Sequence, residues 1–562
     1  MTLMSRIAGA LAKLPAPHTH DVSVERDLAV KMPDGAVLLA DRWFPTAVAS
    51  GPPPTVLLRS PYGRRQLGIV GRLFAERGYQ VVIQSCRGTF GSTGDWVPMH
   101  NEHTDGHATL EWVASQPWFD GRLATFGPSY LGLTQWSVAE DAPPFVKAMS
   151  LQVTASNFRD AVVYPGGSFA LDTGLAWLYQ VEHQESGPRG ALRAQVRSKR
   201  VVRAAAAVLP LNEADRAAVH HPVPFYQDWL SRETPGDTWW DGIHFGRRLE
   251  NIPPASLVAG WYDIFLPSQI ADYEALRDAG RTARLTVGPW THASPRGSAE
   301  AIRDGLEWFD EHVAERPRKA AKLPVNLFVM GSKRWEQFSQ WPPPAEPQRW
   351  YLGHGGTLAT EPSPLDSPDR YRYDPADPTP GIGGPSLNFS NAGRKDQKPR
   401  ESRSDVLTYT SGVFTSDLTV IGPVSVTLHL RSSLDHTDFF VRVCDVSPKG
   451  KSTNLCDGII RLTTGSVQRD VDGIFHLDVS LWPTATTFLA GHRIRLQVSS
   501  GAHPLFARNT GSGEPLGSAA TLHRADQEVW RDEAHPSYVT LPVVRGSAGI
   551  KGGAAGRATS LD

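Results

Sequence analysis

The stretch Leu123-Ala124-Thr125-Phe126-Gly127-Pro128-Ser129-Tyr130-Leu131-Gly132 decides how the chain is read. A short run with strand character enters Gly127, a serine stands at the apex, and a helical run follows. A serine on so sharp a strand-to-helix turn needs a small residue before it, because the backbone is crowded there. Gly127 meets that need. The second glycine normally sits two places after the serine; here Leu131 holds that place and Gly132 comes one later. Alone, such a turn is weak evidence, since many tight turns combine Gly and Ser. Its weight comes from what lies on either side.

Working outward, short apolar runs recur at Thr55–Leu58, Gln80–Ile83, Ala148–Val153, Ser256–Ala259 and Arg284–Val287. Helical patterns such as Gly71–Arg77 and Thr104–Ala114 lie between several of them. Strands buried on both faces read this way, and the alternation predicts a mostly parallel α/β sheet. It breaks over 157–245, where Leu192–Leu209 and Asn212–Val219 are rich in helix formers. The pattern then resumes, so this stretch is expected to be a helical cap inserted into the α/β part. Ile302, Leu306, Phe309 and Val313 make one face of a last helix. From about 345 the period changes to two, as in Val424, Val426, Leu428 and Leu430, again in Phe475 to Leu481, and in Ile494 to Val498. Half-buried antiparallel strands predict a β-sandwich or jelly roll. The expected divisions are 15–156 and 246–340 for the two parts of the α/β domain, 157–245 for the cap and 348–545 for the sandwich. A Gly- and Ala-rich tail at 546–562 is expected to be disordered, and the proline-rich Trp341–Pro347 is the expected linker.

The chemistry follows from order. A serine alcohol needs a histidine base and an acid to orient it, and in α/β-hydrolases the acid and base follow the serine. Ser256–Ala259 runs into Gly260-Trp261-Tyr262-Asp263, and Arg284–Val287 into Gly288-Pro289-Trp290-Thr291-His292. Asp263 and His292 each fall just past a strand end, where functional groups gather in open α/β sheets. For the oxyanion, one donor is expected from the Tyr130 backbone N–H at the helix start. The Tyr62 hydroxyl, in the loop after the first buried strand, is available as a second.

The 562 residues carry 57 Lys+Arg against 58 Asp+Glu, a net charge of −1. That balance argues against nucleic acid as a main partner and against a polybasic membrane anchor. Seventeen Trp, 21 Phe and 13 Tyr exclude bulk disorder, and no run reaches the ~18 apolar residues of a membrane helix. Three cysteines, Cys86, Cys444 and Cys456, read as reduced thiols in a reducing compartment. The N-terminal run, with Leu3, Ile7, Leu11 and Leu14 on one face, reads as a short amphipathic helix rather than a leader. A cytoplasmic protein is expected.

Together, Pro61-Tyr62, Arg87-Gly88-Thr89-Phe90-Gly91-Ser92-Thr93-Gly94, the elbow at 127–132, Gly260-Trp261-Tyr262-Asp263 and Gly288-Pro289-Trp290-Thr291-His292 resemble the CocE/NonD hydrolases. That family includes bacterial cocaine esterase and relatives of X-prolyl dipeptidyl-peptidase. The resemblance extends to Asp445, Cys456-Asp457-Gly458-Ile459 and Pro504 to Gly511. It implies an α/β-hydrolase domain with an inserted helical cap and a C-terminal jelly roll. It also implies a triad of Ser129, Asp263 and His292 with Tyr62 and Tyr130 as oxyanion donors. Arg64 stands where a lysine is common in the family. No cofactor is required. The expected reaction is ester hydrolysis through an acyl-enzyme. The expected partner is a small-molecule ester or amide, and the long surface of the sandwich offers room for a homodimer.

His100, His103 and His107, with Glu102 and Asp105 nearby, have a spacing that suits a metal on a helix, but they read as a solvated helix start. The glycines at 88, 91 and 94 fit no phosphate-loop pattern and read as a turn. Of the cap aromatics Tyr164, Phe169, Trp177 and Tyr179, Trp177 is the first candidate to line a substrate pocket, joined by Phe265. The nearer rival function is an amidase, X-Pro aminopeptidase or α-amino acid ester hydrolase. A substrate ammonium would then need carboxylates, and Asp160, Asp172, Glu182 and Glu185 are the available ones. The more distant rival is a glycan-binding protein on an inert scaffold.

Overall fold

The computed structural model describes residues 3–46, 51–316, 322–362 and 367–544; the stretch 546–562 lies outside them. Among the described residues, ten strands form the first sheet: β1 Val22–Lys31, β2 Val37–Pro45, β3 Thr55–Ser60, β4 Gln80–Ser85, β5 Leu123–Pro128, β6 Val146–Gln152, β7 Ala255–Tyr262, β8 Ala283–Thr291, β9 Val325–Val329 and β10 Arg334–Phe338. Their order is β1-β2-β4-β3-β5-β6-β7-β8-β9-β10. From β4 to β9 every pairing is parallel, flanked by antiparallel β1, β2 and β10. Every residue of β3 and β4 is buried, which is why these runs carry no polar alternation.

The helices of this part are α1 Leu3–Leu11, α2 Gly68–Ala75, α3 Glu102–Ala114 and α4 Tyr130–Trp136, with α9 Leu266–Asp278 and α10 Pro295–His312 after the cap. Successive strand residues point to opposite faces. Val56, Leu58, Val81 and Ile83 therefore meet Phe74 of α2 and Phe309 of α10, while Leu57 and Val82 meet Leu110 and Val113 of α3. Because β4 lies on one side of β3 and β5 on the other, the direction in which strands are added to the sheet reverses there. The crevice past the strand ends at such a reversal is the usual ligand site of open α/β sheets.

Between β6 and β7 the chain is helical: a π-helical turn Arg159–Val163, then α5 Leu171–His183, α6 Gly187–Ala206, α7 Ala214–Val219 and α8 Pro224–Ser231. Aromatic stacking builds its core, with Trp177 and Trp229 nearly parallel at 5.6 Å. Main-chain bonds join this cap to the C-terminal domain. The Asp172 N–H donates to the Pro504 carbonyl at 2.9 Å, that of Ala507 to Phe169 at 2.8 Å, and that of Asn212 to Gly517 at 2.9 Å. At Gly166 (φ 62°) a Cβ would lie 2.0 Å from the Ile459 carbonyl oxygen, so only glycine lets the two surfaces close.

The second sheet system comprises β11 Glu346–Gly353, β12 Thr357–Ala359, β13 Asp369–Tyr373, β14 Leu407–Ser411, β15 Leu418–Ser432, β16 Thr437–Val446, β17 Ser452–Leu462, β18 Phe475–Phe488, β19 Arg493–Ser499, β20 Ala525–Trp530 and β21 Tyr538–Val543. All its pairings are antiparallel except β12 with β14. The period-two pattern has its cause in β18, which alternates buried and exposed along Phe475–Leu481. The segment between β10 and β11 is anchored: Trp341 is buried and packs 6.2 Å from Trp261.

Two sequence expectations need correction or completion. α1 is a helix, but Leu3, Ile7 and Leu11 are exposed (72%, 51% and 75%), while Ser5 and Gly9 are buried. The small residues allow close approach to α2, where Ser5 donates to Glu76 at 2.9 Å; bulky leucines on that side would hold the helices apart. Cys444 and Cys456 do fall on paired strands, β16 and β17, and all three cysteines are buried and free. No helix among the described residues is long and apolar enough to cross a membrane.

Candidate active site

Ser129 lies between the end of β5 and the first residue of α4, with φ 57° and ψ −124°. A non-glycine residue held there costs ~1–3 kcal/mol and persists only when its surroundings over-determine it. Here they do. The Ser129 N–H donates to the Gln152 carbonyl at 2.9 Å, and Thr154 Oγ1 donates to the Ser129 carbonyl at 2.9 Å. The glycines on either side are needed. A Cβ at Gly127 would come within 2.4 Å of Leu131 Cβ, and one at Gly132 within 2.3 Å of Thr154. The late glycine thus answers to Thr154 packed against α4.

Asp263 and His292 follow β7 and β8 directly, and adjacent parallel strands bring them together. His292 Nδ1 is 2.7 Å from Asp263 Oδ2, and His292 Nε2 is 3.0 Å from Ser129 Oγ. Asp263 is fully buried, and its Oδ1 accepts the Phe265 N–H at 2.9 Å. Both carboxylate oxygens are therefore committed, one to the imidazole and one to the chain. The Phe265 ring lies 5.7 Å from that of His292.

Tyr62 follows β3 and faces the serine from across the crevice. Its hydroxyl accepts the Trp177 indole N–H at 3.0 Å and hydrogen-bonds Ser129. With its acceptor side taken by the indole, the phenol proton is directed toward the serine. Burial pushes the Tyr62 phenol up to about 12. The Tyr130 N–H, first in α4, has no carbonyl one turn earlier to bond. Its side chain is anchored: the buried hydroxyl donates to Glu102 Oε1 at 2.7 Å and accepts from Trp96 Nε1 and the Met99 N–H. Glu102 is paired in turn with buried Arg59 at 2.9 Å.

The serine opens on two spaces. A tight pocket of about 30 Å³ is walled by Leu133, Phe158, Trp177, Ile264 and Phe265. A cleft of about 810 Å³ runs away from it between α5, α6 and α10. Trp177 borders both, and Phe265 the tight pocket alone. Tyr179 also borders the cleft, whereas Tyr164 and Phe169 are cap core, the former donating to the Trp229 carbonyl at 2.7 Å.

Several contributors lay outside the reach of sequence reasoning. Leu387 to Ser390 of the C-terminal domain close one side of the cleft. Trp177 orients the Tyr62 hydroxyl as well as lining space. Arg64 does not face the serine; it is buried and donates to Asp41 at 3.0 Å and to the Phe90 carbonyl at 2.7 Å. The four cap acids do not converge. Asp160 pairs with Arg159, Glu182 with His221, and Glu185 accepts the Phe90 N–H. Asp172 is buried beneath Ser386, and burial pushes its carboxyl above the ordinary range.

A parallel sheet whose rim holds a serine at positive φ, with an imidazole and a buried carboxylate in line behind it, defines an α/β-hydrolase. Residues 34–294 match the X-Pro dipeptidyl-peptidase (S15 family) and 319–540 the X-Pro dipeptidyl-peptidase C-terminal non-catalytic domain. Cocaine esterase from Rhodococcus sp. is 33% identical over 93% of this chain and 99% of its own. The chain therefore belongs to the family of serine hydrolases that unites the CocE/NonD and S15 proteins. In fold it also matches an aminopeptidase from a marine sediment Thaumarchaeota archaeon (22% identity, TM-score 0.79, 94% of this chain, 98% of that one). An α-amino acid ester hydrolase matches equally well (21%, TM-score 0.79, 94% and 98%).

Proposed function

We propose that this protein is a carboxylesterase acting on uncharged, largely apolar esters through an acyl-enzyme on Ser129. The observation that carries the reading is the unbroken line Ser129–His292–Asp263 opening onto a cleft whose walls, among the described residues, include no carboxylate. His292 Nε2 takes the serine proton as Oγ attacks the ester carbonyl. Asp263 keeps Nδ1 protonated and stabilises the imidazolium. The carbonyl oxygen, becoming an oxyanion, meets the Tyr62 O–H and the Tyr130 N–H. The alcohol leaves with the proton from His292, and water repeats the sequence to release the acid.

Amidase, X-Pro aminopeptidase or α-amino acid ester hydrolase chemistry on the same scaffold is the alternative. The names of several relatives favour it, but among the described residues that line the cleft there is no acidic partner for a substrate ammonium. Side-by-side rates on p-nitrophenyl esters, α-amino acid esters and X-Pro anilides separate the readings. The neutral esters are expected to show the highest kcat/KM, and faster cleavage of the anilides would overturn the proposal.

Tyr62→Phe is expected to lower kcat by about 10²–10³ with little change in KM, since the hydroxyl acts mainly on developing charge. An unchanged kcat removes Tyr62 from the reaction. The same phenol gives a pH test. An ordinary tyrosine, near 10, has lost half its donor protons by pH 10. With Tyr62 raised to about 12, kcat is expected to stay level from pH 8 to pH 10, measured on a pH-stable ester. Halving by pH 10 in the wild type but not in Tyr62→Phe would contradict this.

A further inference from the structure

Away from the cleft, α3 carries His103 and His107 one turn apart, and Asp141 follows the end of α4. His107 Nε2 is 2.8 Å from Asp141 Oδ1, His103 Nε2 is 3.8 Å from Asp141 Oδ2, and the three ligand atoms lie within 4.8 Å of one another. Ligands held at the ~2.0–2.1 Å of a tetrahedral zinc ion stand about 3.3 Å apart, so the observed separations bracket what an ion needs. His103 is the member that must adjust, and its side chain is half exposed.

The surroundings favour coordination. His103 Nδ1 is 2.7 Å from the Ser137 carbonyl. A bond to a carbonyl requires the proton on Nδ1, which leaves the Nε2 lone pair facing Asp141. Metal-binding histidines are commonly oriented by such a bond on the other nitrogen. Among the described residues, the basic side chains close to the Asp141 carboxylate are these two imidazoles, because the Arg248 guanidinium engages Glu140 and that of Arg247 engages Asp241. His100, the third histidine of the sequence spacing, packs against Trp239 with ring centres 4.3 Å apart and planes tilted by 58°; the carboxylate takes its place.

We infer that His103, His107 and Asp141 form a site for a borderline divalent metal ion such as Zn²⁺, with water completing its shell. Two imidazoles and one carboxylate suit zinc, cobalt and nickel rather than calcium or magnesium. Binding breaks the His107–Asp141 hydrogen bond, moves the His107 ring proton from Nε2 to Nδ1, and forms two nitrogen–metal bonds and one oxygen–metal bond. The ion would fasten α3, whose Glu102 holds the Tyr130 hydroxyl, to the turn that follows the helix beginning beside Ser129.

The test is equilibrium dialysis of the intact, chelator-treated protein against Co²⁺ and Zn²⁺, with the visible spectrum of the cobalt form and thermal unfolding with and without Zn²⁺. The wild type is expected to take up one ion per chain, show cobalt d–d bands and unfold at higher temperature with zinc. His107→Gln and Asp141→Asn, on the surface and outside the catalytic machinery, are expected to weaken binding at least about tenfold. Both should lose the thermal shift while keeping metal-free esterase activity. Failure of the wild type to bind stoichiometrically, or equal binding by both variants, overturns the site. Neither outcome bears on the esterase reading.

Discussion

Ser129→Ala is expected to lower kcat for ester hydrolysis by about 10⁶-fold and to abolish labelling by a phosphonate probe. The loss is chemical. Alanine tolerates φ 57° no worse than serine does, and the bonds that hold the turn run through the Ser129 backbone to Gln152 and Thr154. His292 keeps its contact with Asp263, so the base stays in place with nothing to activate. Thermal unfolding of the variant should match that of the wild type. Residual turnover over water, of order 10³–10⁴, is expected from the oxyanion donors and binding alone. Activity within tenfold of wild type would place the nucleophile elsewhere.

Asp263→Asn is expected to cost about 10⁴ in kcat with little change in fold. The local geometry says why the isostere fails. Asp263 Oδ1 accepts the Phe265 N–H at 2.9 Å, so an asparagine must keep its carbonyl oxygen on that side. Its NH₂ then faces His292 Nδ1, 2.7 Å from the present Oδ2. An N–H donor there requires Nδ1 to be an acceptor, which moves the ring proton to Nε2. The imidazole then offers a proton to Ser129 instead of taking one. Steady-state kinetics give the size of the loss, and the imidazole N–H resonances in a nuclear magnetic resonance spectrum report the tautomer. A variant with near-normal kcat would show that Asp263 only packs.

The parts of this architecture legible in the sequence are those whose physical causes are local. Val56–Leu58 of β3 and Val81–Ile83 of β4 read as unbroken apolar runs because both faces of the sheet are covered there. The elbow glycines were readable because Leu131 and Thr154 leave no room for a Cβ. Ser129, Asp263 and His292 sit one step past strand ends, and parallel neighbours carry such positions to one rim. What could not be read depends on packing between distant segments. Leu387–Ser390 reach the cleft only because the sandwich docks on the cap. Glu102 meets Tyr130 through the approach of α3 to α4, and nothing in its local sequence singles it out. The apolar stripe of α1 pointed the wrong way because a helix of that length can also pack through its smallest side chains.

The main-chain bonds between cap and sandwich have a consequence for how new preferences can arise. Since Leu387 to Ser390 border the cleft yet belong to a separate domain from the elbow, selection has a second address at which to work. Changes in that loop can reshape what is admitted while the reacting atoms stay untouched, so diversification need not compete with the demands of chemistry.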